Sequence, residues 1–239
     1  MKLLSSLFLF LSILFLAFQS PESKTPLIKR SVNLKTGISD DYKYDSLGRL
    51  VLVQSSKGAK TIYQYIDTLV VKQLFLSPKS KVKKDTFFLN NKNLAILILK
   101  KDKEVTEKCK YDSRGRLTLM ANYAGGKPMG QTYYTWSGDN LKNVTTIDEN
   151  GKPLTIGSYA YYTDKPNTIS NTKNMGRGYL GSESKYLLKE FIGMGAVATS
   201  SDTFHIAFHY QFDANNAVKL KVGYNAKGEL VDSTSYSYY

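Results

Sequence analysis

The sequence predicts an all-β protein, an antiparallel meander of hairpins with about a dozen strands, curled into a barrel-like or sandwich form. Three observations predict it. The octapeptide KYDSLGRL (Lys43 to Leu50) returns as KYDSRGRL (Lys110 to Leu117), which marks a repeated supersecondary unit. Apolar and polar residues alternate with a period of two, most regularly where Phe204, Ile206, Phe208, Tyr210 and Phe212 fall on one face of FHIAFHYQF. Apolar runs such as LAILIL (94–99) and VVKQLFL (70–76) want cover on both faces, which a flat single sheet does not supply.

From the N-terminus, MKLLSSLFLFLSILFLAFQS has one early cation, Lys2, and an apolar run from Leu7 to Phe18. This reads as a secretory signal peptide over 1–19, cleaved near Gln19, with Ala17 as the small residue and Pro21 blocking a bond placed just before it. The run falls short of the roughly 20 apolar residues that span a bilayer, so an uncleaved leader is the only membrane contact expected. No cysteine follows it, and a bacterial lipid anchor is not expected. Residues 20–239 then form a single β-repeat domain, long enough to bury a core. Its one cysteine, Cys109, leaves it without an internal disulfide, although export would permit one.

Thirty-three basic residues against 20 acidic give a net charge of +13. Much of the excess is local. Between Lys72 and Lys110 eleven lysines meet only Asp85, Asp102, Glu104 and Glu107. One reading is attraction to polyanions such as acidic glycans or lipid headgroups; the other is a solvated strand face whose lysines discourage edge-to-edge pairing. Lysine in place of arginine argues against bidentate phosphate recognition. With no recognition helix and no aromatic RNA motif, nucleic acid is not an expected partner.

In each copy of the repeat an aromatic residue is followed by Asp or Asn, and an aliphatic residue stands six positions after the aromatic: Tyr44 to Leu50, Tyr111 to Leu117, Phe212 to Val218, Tyr224 to Leu230, and Phe88 to Leu94 in FLNNKNL. A tight hairpin requires this spacing. Asp45 or Asp112 can bond the backbone two residues on, and Gly48 or Gly115 accepts the positive φ that closes the turn. After the second turn Leu117, Leu119, Ala121 and Tyr123 are expected on one face. Cys109 takes the slot of Tyr42 and reads as a small buried residue.

One stretch breaks the rhythm. Residues 164–201 are rich in glycine around a short segment, Ser182 to Ile192. There Ser182 or Ser184 could cap one short helix with Tyr186, Leu187 and Phe191 on its apolar side. The insertion reads as a lid or a plug on the β scaffold.

Residues that would carry chemistry are few. His205 and His209 are the only histidines; in a strand they stand roughly 13 Å apart, too far to share one ion. There is no G-x-S-x-G, no H-E-x-x-H and no phosphate loop. Asp45, Asp112 and Asp213 have turn duties, and Asp148 with Glu149 lies in a DENGK turn. No catalytic, cofactor or metal site is expected.

At Y-x-Y-D-x-x-G-R-L (Tyr42 to Leu50), followed by Gly58 and then Tyr63, Gln64 and Tyr65, the chain resembles the YD repeats of bacterial Rhs-type and teneurin-like proteins. In those large proteins many repeats coil into a hollow β-shell that encloses a toxin or forms a cell-surface structure. With four or five recognisable copies this chain is too short for such a cage. It looks more like the small exported YD-repeat proteins of bacterial envelopes. The resemblance implies a scaffold with YD-type hairpins near 42–65, 109–123 and 208–232, and no catalytic residue.

The function expected is that of an exported, non-enzymatic β-repeat protein of the bacterial cell envelope, in the periplasm, at the surface or outside. It would bind a glycan or another envelope component. Among the aromatic clusters Tyr133, Tyr134, Trp136 and Tyr159, Tyr161, Tyr162, the candidate ligand contacts are Trp136, Tyr134 and Tyr161. One alternative is a small outer-membrane β-barrel, motivated by the hairpin series and the aromatic terminus YSYY and opposed by charged stretches such as KVKKD. Another is a polysaccharide-active enzyme with a carboxylate pair assembled from distant strands.

Overall fold

Each strand pairs antiparallel with the one before it and the last pairs with the first, so sixteen strands close into one barrel. The computed structural model describes residues 26–239 apart from 78, 101–104, 171–177 and 196–202. The leader expected at 1–19 lies outside the described residues. The strands are β1 (Ile28–Asn33), β2 (Ser39–Tyr44), β3 (Leu50–Ser55), β4 (Lys60–Ile66), β5 (Leu69–Phe75), β6 (Lys83–Leu89), β7 (Ala95–Lys100) and β8 (Val105–Tyr111), then β9 (Leu117–Ala124), β10 (Lys127–Ser137), β11 (Asn140–Ile147), β12 (Pro153–Pro166), β13 (Tyr186–Gly195), β14 (Thr203–Phe212), β15 (Val218–Asn225) and β16 (Leu230–Tyr238). The expected meander is present, as a barrel and not a sandwich. Its strands outnumber the dozen expected because β1 to β8 are only six or seven residues long.

Strand direction alternates, so the connections fall at two ends. The one holding β2–β3, β8–β9 and β12–β13 is the upper end; the one holding β1–β2, β5–β6 and β15–β16 is the lower. Six turns share one construction, led by Asp45, Asn90, Asp112, Asp148, Asp213 and Asn225. At Asp45 the carboxylate Oδ1 accepts from the amides of Leu47 at 3.0 Å and Arg49 at 2.9 Å, while the Asp45 amide donates to the Arg49 carbonyl at 2.9 Å. The other five repeat this pattern. The fourth residue takes positive φ in each; it is Gly48, Gly115, Gly151 or Gly228 in four turns, and Asn93 or Asn216 in two. The copy in FLNNKNL is thus led by Asn90, one residue later than the repeat spacing predicts, with Leu89 in the aromatic position.

At the upper end the register slips by one residue beside Ile28, Leu50, Ala95, Leu117, Leu188 and Val218. A bulge leaves backbone groups outside the regular ladder, and here an aromatic side chain on the next strand caps each carbonyl. Tyr44 donates to Ile28 at 3.0 Å, Tyr65 to Leu50 at 3.0 Å and Tyr111 to Ala95 at 2.8 Å. The Trp136 indole donates to Leu117 at 2.9 Å, Tyr210 to Leu188 at 2.8 Å and Tyr238 to Val218 at 2.7 Å. These bonds tie the bulged strand to the strand that follows it.

Below them, along β1 to β9, side chains pack into the lumen. Val70, Phe87, Ile98, Cys109 and Leu117 form one buried cluster with Tyr179, whose ring lies 4.3 Å from that of Phe87; Ile28, Tyr42, Leu50 and Tyr63 form another. Cys109 is buried in the Tyr42 slot, as expected, and burial, followed by the Glu107 charge, pushes its thiol up to about 11.

Three expectations are corrected. LAILIL is not covered on both faces: Ala95 and Ile98 point inward, whereas Ile96 and Leu99 are 47% and 37% exposed on the outside of a single-layer wall. Leu117 does not share a face with Leu119, Ala121 and Tyr123, because the slip at Tyr111 turns it inward. Ser182 to Ile192 is not a helix. Strand β13 begins at Tyr186, and the only helical turn among the described residues is Gly178–Leu180. Strands β12 and β14 offer this segment backbone partners on both sides, and Phe191 packs 5.1 Å from Tyr159 and 6.2 Å from Phe204. Pairing outweighs helix propensity.

Among the described residues the irregular part therefore shrinks to 167–170 and 178–185. Its described residues roof the upper end, with Ser182 N–H on the Gly115 carbonyl at 2.9 Å, Lys185 N–H on Asp139 at 3.1 Å and the Val218 amide on Thr168 Oγ1 at 3.0 Å. Gly181 makes the contact close: a Cβ there would stand 2.3 Å from the Gly115 carbonyl oxygen, at a φ of +92°.

Candidate lumenal binding site

Under this roof lies a cavity of about 470 Å³. Closure of the barrel brings its walls together from strands far apart in sequence: Tyr134 and Trp136 on β10, Tyr159 and Tyr161 on β12, Phe208 and Tyr210 on β14, Lys221 on β15 and Tyr236 on β16. The roof contributes Asn167, Ile169, Leu180, Glu183 and Ser184.

All three candidates from the sequence, Trp136, Tyr134 and Tyr161, line this cavity. They differ in how they are held. The Trp136 N–H is committed to Leu117, while its ring lies 5.5 Å from the Arg116 guanidinium. Arg116 is itself held by Asp112 at 2.6 Å. Tyr161 accepts from Ser184 Oγ at 2.9 Å, and that oxygen accepts from the Leu141 amide at 3.0 Å, so Tyr161 is fixed by the roof. Burial pushes its hydroxyl up to about 12. Tyr134, which burial followed by the charges of Cys109 and Glu107 also raises to about 12, hydrogen-bonds no described residue. Tyr159 and Tyr236 likewise face the cavity with no hydrogen-bond partner among the described residues. Their hydroxyls are held neutral by burial, which is the largest cause at each.

Charge enters from one side. Lys221 Nζ lies 2.7 Å from Asp232 Oδ2 and 5.6 Å from the Phe208 ring centroid. Glu183 is the one carboxylate among the described lining residues and accepts from Ser170 Oγ at 2.7 Å. The arrangement offers flat aromatic faces, three hydroxyls with unused hydrogen-bonding capacity, one cation and one anion. It can orient a polar ligand that also has an apolar face.

The remaining aromatic candidates go elsewhere. Tyr133 points outward, 43% exposed, with its hydroxyl on Gln131 at 2.5 Å, and Tyr162 donates to the Phe208 carbonyl at 2.8 Å. The two histidines have separate neighbours: His205 Nε2 lies 2.5 Å from Glu190, and the His209 ring meets Tyr224 edge-on at 5.8 Å. Among the described residues no cluster of three metal-ligating side chains forms. Tyr210, Lys221, Tyr236 and Glu183 were not among the ligand contacts expected from the sequence. Alternation marks Tyr210 and Tyr236 as inward, but only closure shows which inward faces meet.

No known protein family matches the chain, and no curated protein matches it by sequence. The YD-repeat likeness therefore rests on the repeat residues alone. Solved structures do match the fold. A porin-like protein from Bacteroides uniformis superposes with a TM-score of 0.64 at 14% identity, covering 89% of this chain and 98% of that one. A porin-like protein from Bacteroides vulgatus gives 0.60 at 14% identity, over 89% and 99%. This chain shares their fold, a closed antiparallel barrel.

Proposed function

We propose that the chain is an exported, non-enzymatic β-barrel of the bacterial cell envelope that takes a glycan in the cavity under its roof. The observation that carries this reading is the group of three tyrosine hydroxyls, Tyr134, Tyr159 and Tyr236, that line the cavity without a hydrogen-bond partner among the described residues, beside the ring of Trp136. Aromatic faces suit the apolar side of a sugar ring, and neighbouring hydroxyls suit its edge. The volume lies within the ~300–1,000 Å³ range of small-molecule sites. Export is supported by the apolar leader. The described lining residues include one carboxylate, Glu183, where glycoside hydrolysis uses a pair, which favours binding over hydrolysis. The test is calorimetric titration with a panel of neutral and acidic oligosaccharides. A ligand should bind, and the double change Tyr134→Phe/Tyr159→Phe should weaken it about tenfold or more. Silence across the panel, or binding that this variant leaves unchanged, overturns the reading.

A small outer-membrane barrel is the second reading, favoured by the likeness to two porin-like proteins. Strands of six or seven residues on β1 to β8 oppose it, since a tilted transmembrane strand needs about 9–11. Lys43, Gln64, Gln73 and Lys108, which the register turns outward, oppose it too. Recovery in the membrane fraction with a heat-modifiable band on gels would favour it over the first reading.

A further inference from the structure

Both ends of the barrel carry exposed lysines, but their other charges differ. At the upper end the arginines are paired, Arg49 with Asp45 at 2.7 Å, Arg116 with Asp112 at 2.6 Å and Arg114 with Asp139 at 2.9 Å. At the lower end every described connection has an exposed lysine in it or at its edge: Lys35, Lys57, Lys81, Lys127, Lys152 and Lys227. None of these six has an ion pair among the described residues. Acids are fewer there: among the described residues Asp40, Asp148, Glu149 and Glu229 stand on these connections or the strand ends beside them without an ion pair, whereas Lys79, Lys83 and Lys84 add to the six lysines.

The same rim exposes large apolar side chains. Leu34, Leu76, Met129 and Phe204 are 54%, 53%, 53% and 52% exposed, and Leu230 is 42% exposed. Each sits on a lower-end connection or on the strand end beside it. A monomer gains nothing from apolar tips left half-exposed in water. Apolar tips interleaved with unpaired lysines are the composition of a surface that lies in the headgroup layer of a membrane. There the cations meet phosphate, and the lysine stems and apolar tips meet the upper acyl chains.

We propose that the lower end of the barrel docks on an anionic lipid bilayer, with these lysines on headgroup phosphates and Leu34, Leu76, Met129, Phe204 and Leu230 in the interfacial layer. A second copy of the chain fits this end poorly, because two such rims bring like charges together. Nucleic acid has no use for the apolar tips. Docking in this way turns the roofed cavity away from the bilayer, and it does not depend on what that cavity binds.

The test is co-sedimentation of the full chain with vesicles of phosphatidylcholine alone and with added phosphatidylglycerol. The N-terminal apolar run is common to all variants and both vesicles, so the ratio between vesicles isolates the rim. Anionic vesicles should bind at least about tenfold better, with the preference falling as salt rises. Reversing the six lysines to glutamate should abolish the preference, while Lys29→Glu/Lys43→Glu/Lys92→Glu at the upper end leaves it intact. Leu34→Ser/Leu76→Ser/Met129→Ser should weaken anionic-vesicle binding severalfold with the circular dichroism spectrum unchanged. Equal binding to both vesicles overturns the proposal, as does equal loss from the upper-end and lower-end reversals. Indifference to the serine changes together with equally tight binding to duplex DNA also overturns it, by showing plain polyanion attraction.

Discussion

The indole N–H of Trp136 donates to the carbonyl of Leu117 at 2.9 Å, in the place where a tyrosine hydroxyl serves the equivalent carbonyl of five other hairpins. One geometric need, a capped carbonyl at a bulge, is met by two kinds of donor. Trp136→Phe should cost about 1–3 kcal/mol by orphaning that carbonyl, and Trp136→Tyr should cost less. Tyr65→Phe should behave like the first, and the outward Tyr133→Phe should stay within about 0.5 kcal/mol. Urea denaturation monitored by circular dichroism measures all four.

Raising the pH should unfold the barrel. Tyr65, Tyr134, Tyr161 and Tyr238 are raised to about 12 chiefly by burial, and Tyr44, Tyr111, Tyr210 and Tyr236 are raised further. A group whose folded pKa lies above its unfolded value lends stability that is whole below the unfolded pKa and is lost as pH rises toward the folded one. The window therefore opens near the ordinary value of 10.0, runs to about 12 for the first four tyrosines and extends further for the other four. Tyrosinate absorbance should lag below this window and then rise cooperatively with loss of the β spectrum; titration of most tyrosines near 10 with the spectrum intact would contradict it.

The roof should be released by one methyl group. Gly181→Ala would set a Cβ against the Gly115 carbonyl in a backbone conformation that alanine resists. Cleavage by a broad-specificity protease between Pro166 and Tyr186 should accelerate while the barrel persists. Gly115→Ala, at a φ of +73° with its nearest atom 3.6 Å away, should cost about 1–2 kcal/mol without exposing the roof.

Lys221 and Asp232 should show coupling. Each side chain is about a quarter exposed, at 23% and 26%, and Asp232 also accepts from Thr234 at 3.0 Å. Lys221→Met alone should cost about 1–3 kcal/mol, and Lys221→Met/Asp232→Asn should recover about 1 kcal/mol of it in a double-mutant cycle.

The hairpins were legible because their chemistry is local. Asp45, Asp112 and Asp213 satisfy their own turns within four residues, so spacing alone exposes them. The DENGK turn at Asp148 proves to be a sixth copy of that construction. Facing along a strand was legible only up to the first bulge: the slip at Tyr111 separates Leu117 from Leu119, and no pattern in the sequence announces it. Segment 186–195 misled because YLLKEFI satisfies helical spacing; its partners, β12 and β14, are visible only once the barrel closes. The same holds for the cavity. Trp136, Tyr134 and Tyr161 stand out as aromatics, but Tyr236 joins them from a strand one hundred residues away in sequence from Trp136.

At the seam the Tyr239 amide donates to the Leu27 carbonyl at 3.2 Å, and the Tyr239 hydroxyl donates to the Tyr42 carbonyl at 2.6 Å. The two ends of the barrel chain thus lie side by side. A short linker from Tyr239 to Leu27 would join them, and the ring could be cut afresh at Gly125–Gly126, an exposed turn on the lower rim. The permuted chain would begin at β10 and end at β9. Which hairpin is made first would then be a matter of genetic convenience, since the barrel's wall has no first strand.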